Sequence, residues 1–120
     1  MLTVNSLAIT KSLEEIMATT TKIRITACDN ELYILASQQP VTSTEVVHIK
    51  SGYDKPVDYT IIPQAILAPG NYSLTIIGIN WGLKSGFKVT LTSGSTSTDY
   101  ISPPSTDIGV VWHVTIPITV

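Results

Sequence analysis

The chain has 120 residues, 43% hydrophobic and only 13% charged, with a formal net charge of −2; that length suits one domain around one core. A single arginine, Arg24, and no basic stripe exclude nucleic acid as a partner. One cysteine, Cys28, excludes an internal disulfide and a thiolate metal cluster, and no stretch approaches the roughly 18 apolar residues of a membrane span.

With charge at about half the usual share, the surface must be made of uncharged polar groups. The 17 threonines and 12 serines supply them, and threonine together with the many isoleucines and valines favours extended structure.

In the N-terminal segment, residues 1–19, Ile9, Leu13, Ile16 and Met17 are spaced i, i+4, i+7, i+8, which predicts one short helix. Ser12 and Glu15 form a capping box for a shorter helix from Leu13. The alternative is a strand over "LTVNSLAI" with only "SLEEIM" helical; so short a window does not separate the two. No cationic region leads into a continuous apolar core here, so the expectation is no signal peptide and a cytoplasmic site of synthesis. Assembly into a virion needs no such signal.

From Thr20 the period changes to two: Ile23, Ile25 and Ala27 face one way, Lys22, Arg24 and Thr26 the other. "CDNE" reads as a turn, after which Leu32, Ile34 and Ala36 resume the inward set, predicting a hairpin that ends at Gln38-Gln39-Pro40. Further strands are expected at 44–50, 56–62, 72–79, 86–92 and 109–119, each bounded by Gly, Pro, Asn or Ser. The Ser/Thr-rich stretch 92–108 reads as a long loop, serving function or assembly or crossing between sheets. The prediction is a single all-β domain over 1–120, an antiparallel β-sandwich, immunoglobulin-like or jelly-roll-like, of about seven strands with one short N-terminal helix.

Ala68-Pro69-Gly70-Asn71 fits a β-turn. With Leu67 before it and Tyr72 after it, the stretch resembles the L-x-P-G-x-Y corner of immunoglobulin-like and fibronectin-III-like sandwiches. The resemblance implies that the Tyr72 hydroxyl hydrogen-bonds backbone across the corner. The cysteine pair and core tryptophan of antibody domains have no counterpart. The sequon Asn71-Tyr72-Ser73 reads as coincidence.

Ile77 and Ile79 lie opposite Leu74 and Ile76 on one strand, Val46 adjoins Val47, and Ile61 adjoins Ile62. Apolar side chains thus project from both faces, although a two-sheet sandwich needs only one apolar face per sheet. Ile77, Ile79, Val46 and Ile62 are therefore the candidate interface residues, covered by the N-terminal helix and by another subunit. Burying two isoleucines this way contributes about 3–6 kcal/mol, comparable to the net stability of a small domain.

The acidic residues are scattered. Asp54 and Asp58, with Asp99 or Asp107, have oxygens for calcium but not the spacing of an EF-hand loop, and are read as turn aspartates. His48 and His113 sit in predicted strands without a nucleophile elbow or a zinc helix, and Cys28 reads as a small buried hydrophobe. "SGST" and "WGLKSG" lack the context of a phosphate loop. Neither catalysis nor a cofactor or metal is expected. Trp81 follows Asn80 at a strand end; with Tyr100 and Tyr53 these are the candidate ligand-binding residues, the indole reading more readily as a plug of the core than as an exposed platform. Trp112, in phase with Val110, Val114, Ile116 and Ile118, is expected in the core.

Three readings of function follow. The first is a non-catalytic structural or assembly protein acting through contacts with other protein subunits, as a homo-oligomer or in a particle, such as a phage capsid decoration or tail-associated component. The second is a carbohydrate-binding module or lectin that takes glycans on its loop aromatics. The third is a small toxin or inclusion-forming protein.

Overall fold

The computed structural model describes residues 19–38 and 42–120. Eight strands follow in order: β1 (Thr20–Asp29), β2 (Glu31–Gln38), β3 (Thr42–Lys50), β4 (Tyr59–Ile61), β5 (Asn71–Asn80), β6 (Gly86–Ser93), β7 (Thr96–Ile101) and β8 (Gly109–Thr119), with a 3₁₀ turn at Pro63–Ala65. They form two antiparallel four-stranded sheets, β4-β1-β6-β7 and β3-β2-β5-β8, in a sandwich-like arrangement. The predicted N-terminal helix lies outside the described residues.

The inward residues of both layers make one core. Ile23, Ile25 and Val89 from the first sheet meet Leu32, Ile34, Leu74 and Ile76 from the second, all with no exposed surface. Phe87, 1% exposed, lies at 6.0 Å between ring centroids from Trp112, which is in the core as expected. The space for the Phe87 ring comes from Gly78: a Cβ there would stand 2.8 Å from it, inside any tolerable carbon contact.

Four expectations are corrected. First, β1 and β2 are not a hairpin. β1 pairs with β4 and β6, and β2 with β3 and β5. Asn30 alone carries the chain from one layer to the other, which lets the apolar faces of both strands point at the same core from opposite sides. Second, the register of β1 shifts between Ile25 and Ala27, so Cys28 turns inward in place of Ala27; a bulge adds one residue and reverses the alternation beyond it.

Third, stretch 92–108 is not one loop. Gly94, at φ +62°, turns the chain back into β7, which pairs with β6 from Ser93↔Thr96 to Lys88↔Ile101. A glycine at positive φ in a two-residue connection is the ordinary hairpin device, and low complexity concealed the β-forming Thr, Tyr and Ile beyond it. The count is accordingly eight strands rather than seven among the described residues. Fourth, the strand expected at 56–62 shrinks to Tyr59–Ile61, set between Pro56 and Pro63, which cannot donate to a ladder.

At the corner the Tyr72 hydroxyl donates to the Ala68 carbonyl at 2.7 Å. Beside it Gly70 and Val120 exchange both backbone hydrogen bonds at 2.8 Å, tying the end of the chain to the bend.

Candidate functional site

Because Leu32, Ile34 and Ala36 point inward, alternation sends Glu31, Tyr33 and Leu35 to the outer face of the second sheet. Register then lines up two cross-strand rows on that face: Lys50, Glu31, Ile79 and Val110, and next to it His48, Tyr33, Ile77 and His113. Trp81, the first residue beyond β5, stands at the end of these rows.

Glu31 is the polar centre. It is only 7% exposed although it lies on an outer face, because Trp81, Tyr33 and His48 cover it. The Trp81 Nε1–H donates to Glu31 Oε1 at 2.9 Å, and His48 Nε2 hydrogen-bonds the other carboxylate oxygen. Those two bonds hold the Glu31 carboxyl below its ordinary range; burial opposes them, and Lys50, whose ammonium lies 4.0 Å away, supports them. His48 stacks on Tyr33 with ring centroids 4.0 Å apart and planes 11° from parallel. The Trp81 backbone N–H donates to Asn30 Oδ1 at 2.7 Å, so the residue is held by both its main chain and its ring.

Beside this cluster, Asn80 ties two loops together. Its side chain has no exposed surface. The Nδ2 group donates to the carbonyls of Leu83 and Asp107, both at 2.9 Å, with the Ser105 carbonyl at 3.3 Å, and Oδ1 accepts from Gly82 N–H. Ser85 and Ser105 add a reciprocal pair of bonds at 2.7 and 3.0 Å. Around this fixed centre four large apolar side chains face solvent: Trp81 at 60%, Leu83 at 65%, Ile108 at 64% and Val110 at 64% exposed. Leu83 also holds a left-handed backbone, φ +63°, which for a residue with a Cβ costs about 1–2 kcal/mol.

The expected site residues separate. Trp81 is an exposed platform and not a plug, because Phe87 and Trp112 fill the core and Glu31 tethers the indole outside it. Asn80 spends its polar groups on backbone and presents none outward. Tyr53, half exposed, shares this end of the sandwich through the Asp54 N–H, which donates to Asp29 Oδ1 at 3.1 Å. Tyr100 does not join them: it lines a separate cleft of about 340 Å³ with Thr20, Tyr72, Leu91 and Ile116.

Of the interface candidates, Ile77 and Ile79 are half-buried on the outer face, and Ile62 is 47% exposed beyond β4. Val46 is corrected. Register slips between Ile34 and Leu35, and the resulting bulge turns Val46 into the core at 8% exposure. The four aspartates considered for calcium go to different partners. Asp58 takes two bonds at 2.9 Å from Arg24, Asp99 accepts from Thr90 at 2.7 Å, and Asp54 and Asp107 are engaged through their main chains. Sequence reasoning missed Glu31 and Tyr33. Their signal was the i, i+2 spacing opposite the apolar set of β2, matched by His48 and Lys50 on β3. Comparison with protein-family models, with curated proteins and with solved structures gave no match.

Proposed function

We propose that the protein is a non-catalytic assembly component that binds other protein subunits, further copies of itself included, through the end of the sandwich that carries Trp81. The observation that carries this reading is the group Trp81, Leu83, Ile108 and Val110, each more than half exposed around the buried Asn80. Exposed apolar groups gathered in one place are characteristic of contact surfaces. Loops already fixed by hydrogen bonds lose little further freedom on binding, and a strained leucine held out to solvent is the kind of outlier from which function is inferred. Half-buried Ile77 and Ile79 extend the apolar surface along the outer face. The capsid or tail decoration expected from composition is one assembly built from such a block.

Chemistry at the same place is poorly supported. The Glu31 carboxylate is buried and hydrogen-bonded to both Trp81 and His48, and the Cys28 thiol is buried and pushed up to about 12, chiefly by burial, far from the thiolate that reacts.

Sedimentation velocity of the full chain over a range of concentrations tests the reading. The expected result is reversible association that weakens about thirty-fold or more in Kd when Trp81 or Ile108 is changed to serine, the usual effect of truncating a central contact residue. A monomer at every concentration overturns self-association.

A second reading, glycan binding, rests on the exposed Trp81 indole fixed beside a carboxylate, an aromatic surface for the C–H face of a sugar. Its test is a glycan array in which signal is lost in Trp81→Ala while the fold is retained.

A further inference from the structure

The indole of Trp81 is held through a series of contacts that ends on one titratable group. Tyr33 and His48 are partners across β2 and β3, and their rings stack at 4.0 Å. The stack fixes the imidazole, whose Nε2 hydrogen-bonds one oxygen of the buried Glu31 carboxylate. The other oxygen is thereby turned to the Trp81 Nε1–H, which donates to it at 2.9 Å. A hydrogen bond to an ionised carboxylate is about twice as strong as one to a neutral acceptor, and low local dielectric strengthens it further. The direction of the ring is therefore tied to the charge on Glu31.

Among the described residues, few charges bear on that carboxylate. β3 contributes His48 and Lys50, whose ammonium lies 4.0 Å away, and Tyr33 comes from the same strand as Glu31. On the other side β5 and β8 contribute Ile79 and Val110, which carry no charge, and His113 stands in the next row beyond Ile77. The neighbouring acid Asp29 turns to the Asp54 N–H instead. Leu83 and the loop through Ser105 and Asp107 do not depend on Glu31, because they are held by Asn80, an amide that does not titrate. A change of charge at Glu31 thus acts on the indole and leaves the tie between the two loops in place.

We propose that Glu31 is a positioning residue that makes the contact end proton-sensitive: the ionised carboxylate holds Trp81 in the orientation that binds, and protonation releases the ring and weakens association. This rests on the reading of the Trp81 end as a contact surface. A ring already held in place loses little freedom when a partner covers it, whereas a released ring must first be ordered. By linkage, association is complete where Glu31 is charged and declines as pH falls through the folded-state value, which the bonds to Trp81 and His48 hold below the ordinary carboxylate range.

Sedimentation velocity of the full chain as a function of pH, for wild type and Glu31→Gln, tests the proposal. Glutamine keeps the shape and an acceptor for the indole but carries no charge, so it stands for the protonated acid at neutral pH. The expected wild-type result is a Kd that is constant near neutrality and rises about five-fold or more on acidification through the carboxylate range. Glu31→Gln should show the raised Kd already at neutral pH and lack the rise on acidification, while Asp54→Asn should keep the wild-type profile. The Trp81 indole N–H resonance should move with the wild-type transition and be displaced from the outset in Glu31→Gln. A folded Glu31→Gln that associates as tightly as wild type at neutral pH overturns the proposal, as does an acid profile that the substitution leaves unchanged. If Glu31→Gln fails to fold, the wild type decides: Kd and the indole resonance changing together support the proposal, and Kd changing without the resonance overturns it. A wild-type monomer at every concentration overturns the contact reading and this proposal with it, whereas association indifferent to Glu31 overturns this proposal alone.

Discussion

The Trp81 indole and the Glu31 carboxylate are joined by a hydrogen bond of 2.9 Å although they lie 50 residues apart in the chain. One bond thus sets the direction of the most exposed aromatic ring at this end and occupies half of a carboxylate that would otherwise be solvated.

Acid should release that ring. The folded Glu31 carboxyl lies below its ordinary value, so its contribution to stability is complete above the unfolded-state value and is lost as pH falls through the folded one. Asp58, held low by Arg24, contributes with the same sign. The expected outcome is a Trp81 emission constant near neutrality that shifts as the solution is acidified through the carboxylate range. Emission is best read in a Trp112→Phe background, and the acid transition should be absent in Glu31→Gln.

Gly78→Ala should destabilise the fold by about 1–3 kcal/mol, the usual consequence of forcing a carbon into a filled core. The new methyl would meet the Phe87 ring at 2.8 Å. Urea unfolding should show a lower midpoint with an unchanged slope, and adding Phe87→Leu should recover part of the loss.

Asn80→Ala should cost about 1–3 kcal/mol, since it empties a fully buried site and removes the donor shared by the carbonyls of Leu83 and Asp107. Asn80→Asp should be no better, because a carboxylate offers these carbonyls oxygen where they need N–H. Thermal denaturation measures the loss, and amide exchange should show it concentrated in the loops 81–85 and 102–108.

Thiol reagents should scarcely touch the native protein. Cys28 is 1% exposed with its thiol pushed up to about 12. The labelling rate should follow the population of unfolded chain, rising with urea in parallel with loss of the β-sheet signal.

Strand alternation was legible wherever it was uninterrupted: Ile23, Ile25, Leu32, Ile34 and Ala36 were all assigned inward. The bounds 109–119 were placed to the residue, but a bulge opposite Gly78 and Ile79 turns Val110 outward, out of the phase it was expected to share with Trp112. Reading failed where one residue changes the phase. Bulges in β1 and β3 turned Ala27 out of the inward set and Val46 into the core, and nothing local to "RITAC" or "TEVVH" announces that the partner strand skips a residue. The cluster at Trp81 depends on pairing between distant strands: Glu31 reaches Ile79 and Lys50 only through register, which one-strand periodicity does not contain. Asn80 misled for a different reason. Its polarity suggested a ligand, and its position beside two loop ends made it an internal tie. The Tyr72 corner was legible because its residues are neighbours in sequence.

The pairing of β1 with β6, Thr20 against Ser93 and Ile23 against Leu91, also governs the order in which the molecule can form. During synthesis the first strand leaves the ribosome long before the strand that will be its main neighbour. Until β6 emerges, Ile23 and Ile25 have only the short β4 beside them. Closing so long a span is slow and leaves apolar strand exposed meanwhile, so nascent chains that are stalled or shortened before Gly86 should be the ones most prone to aggregate.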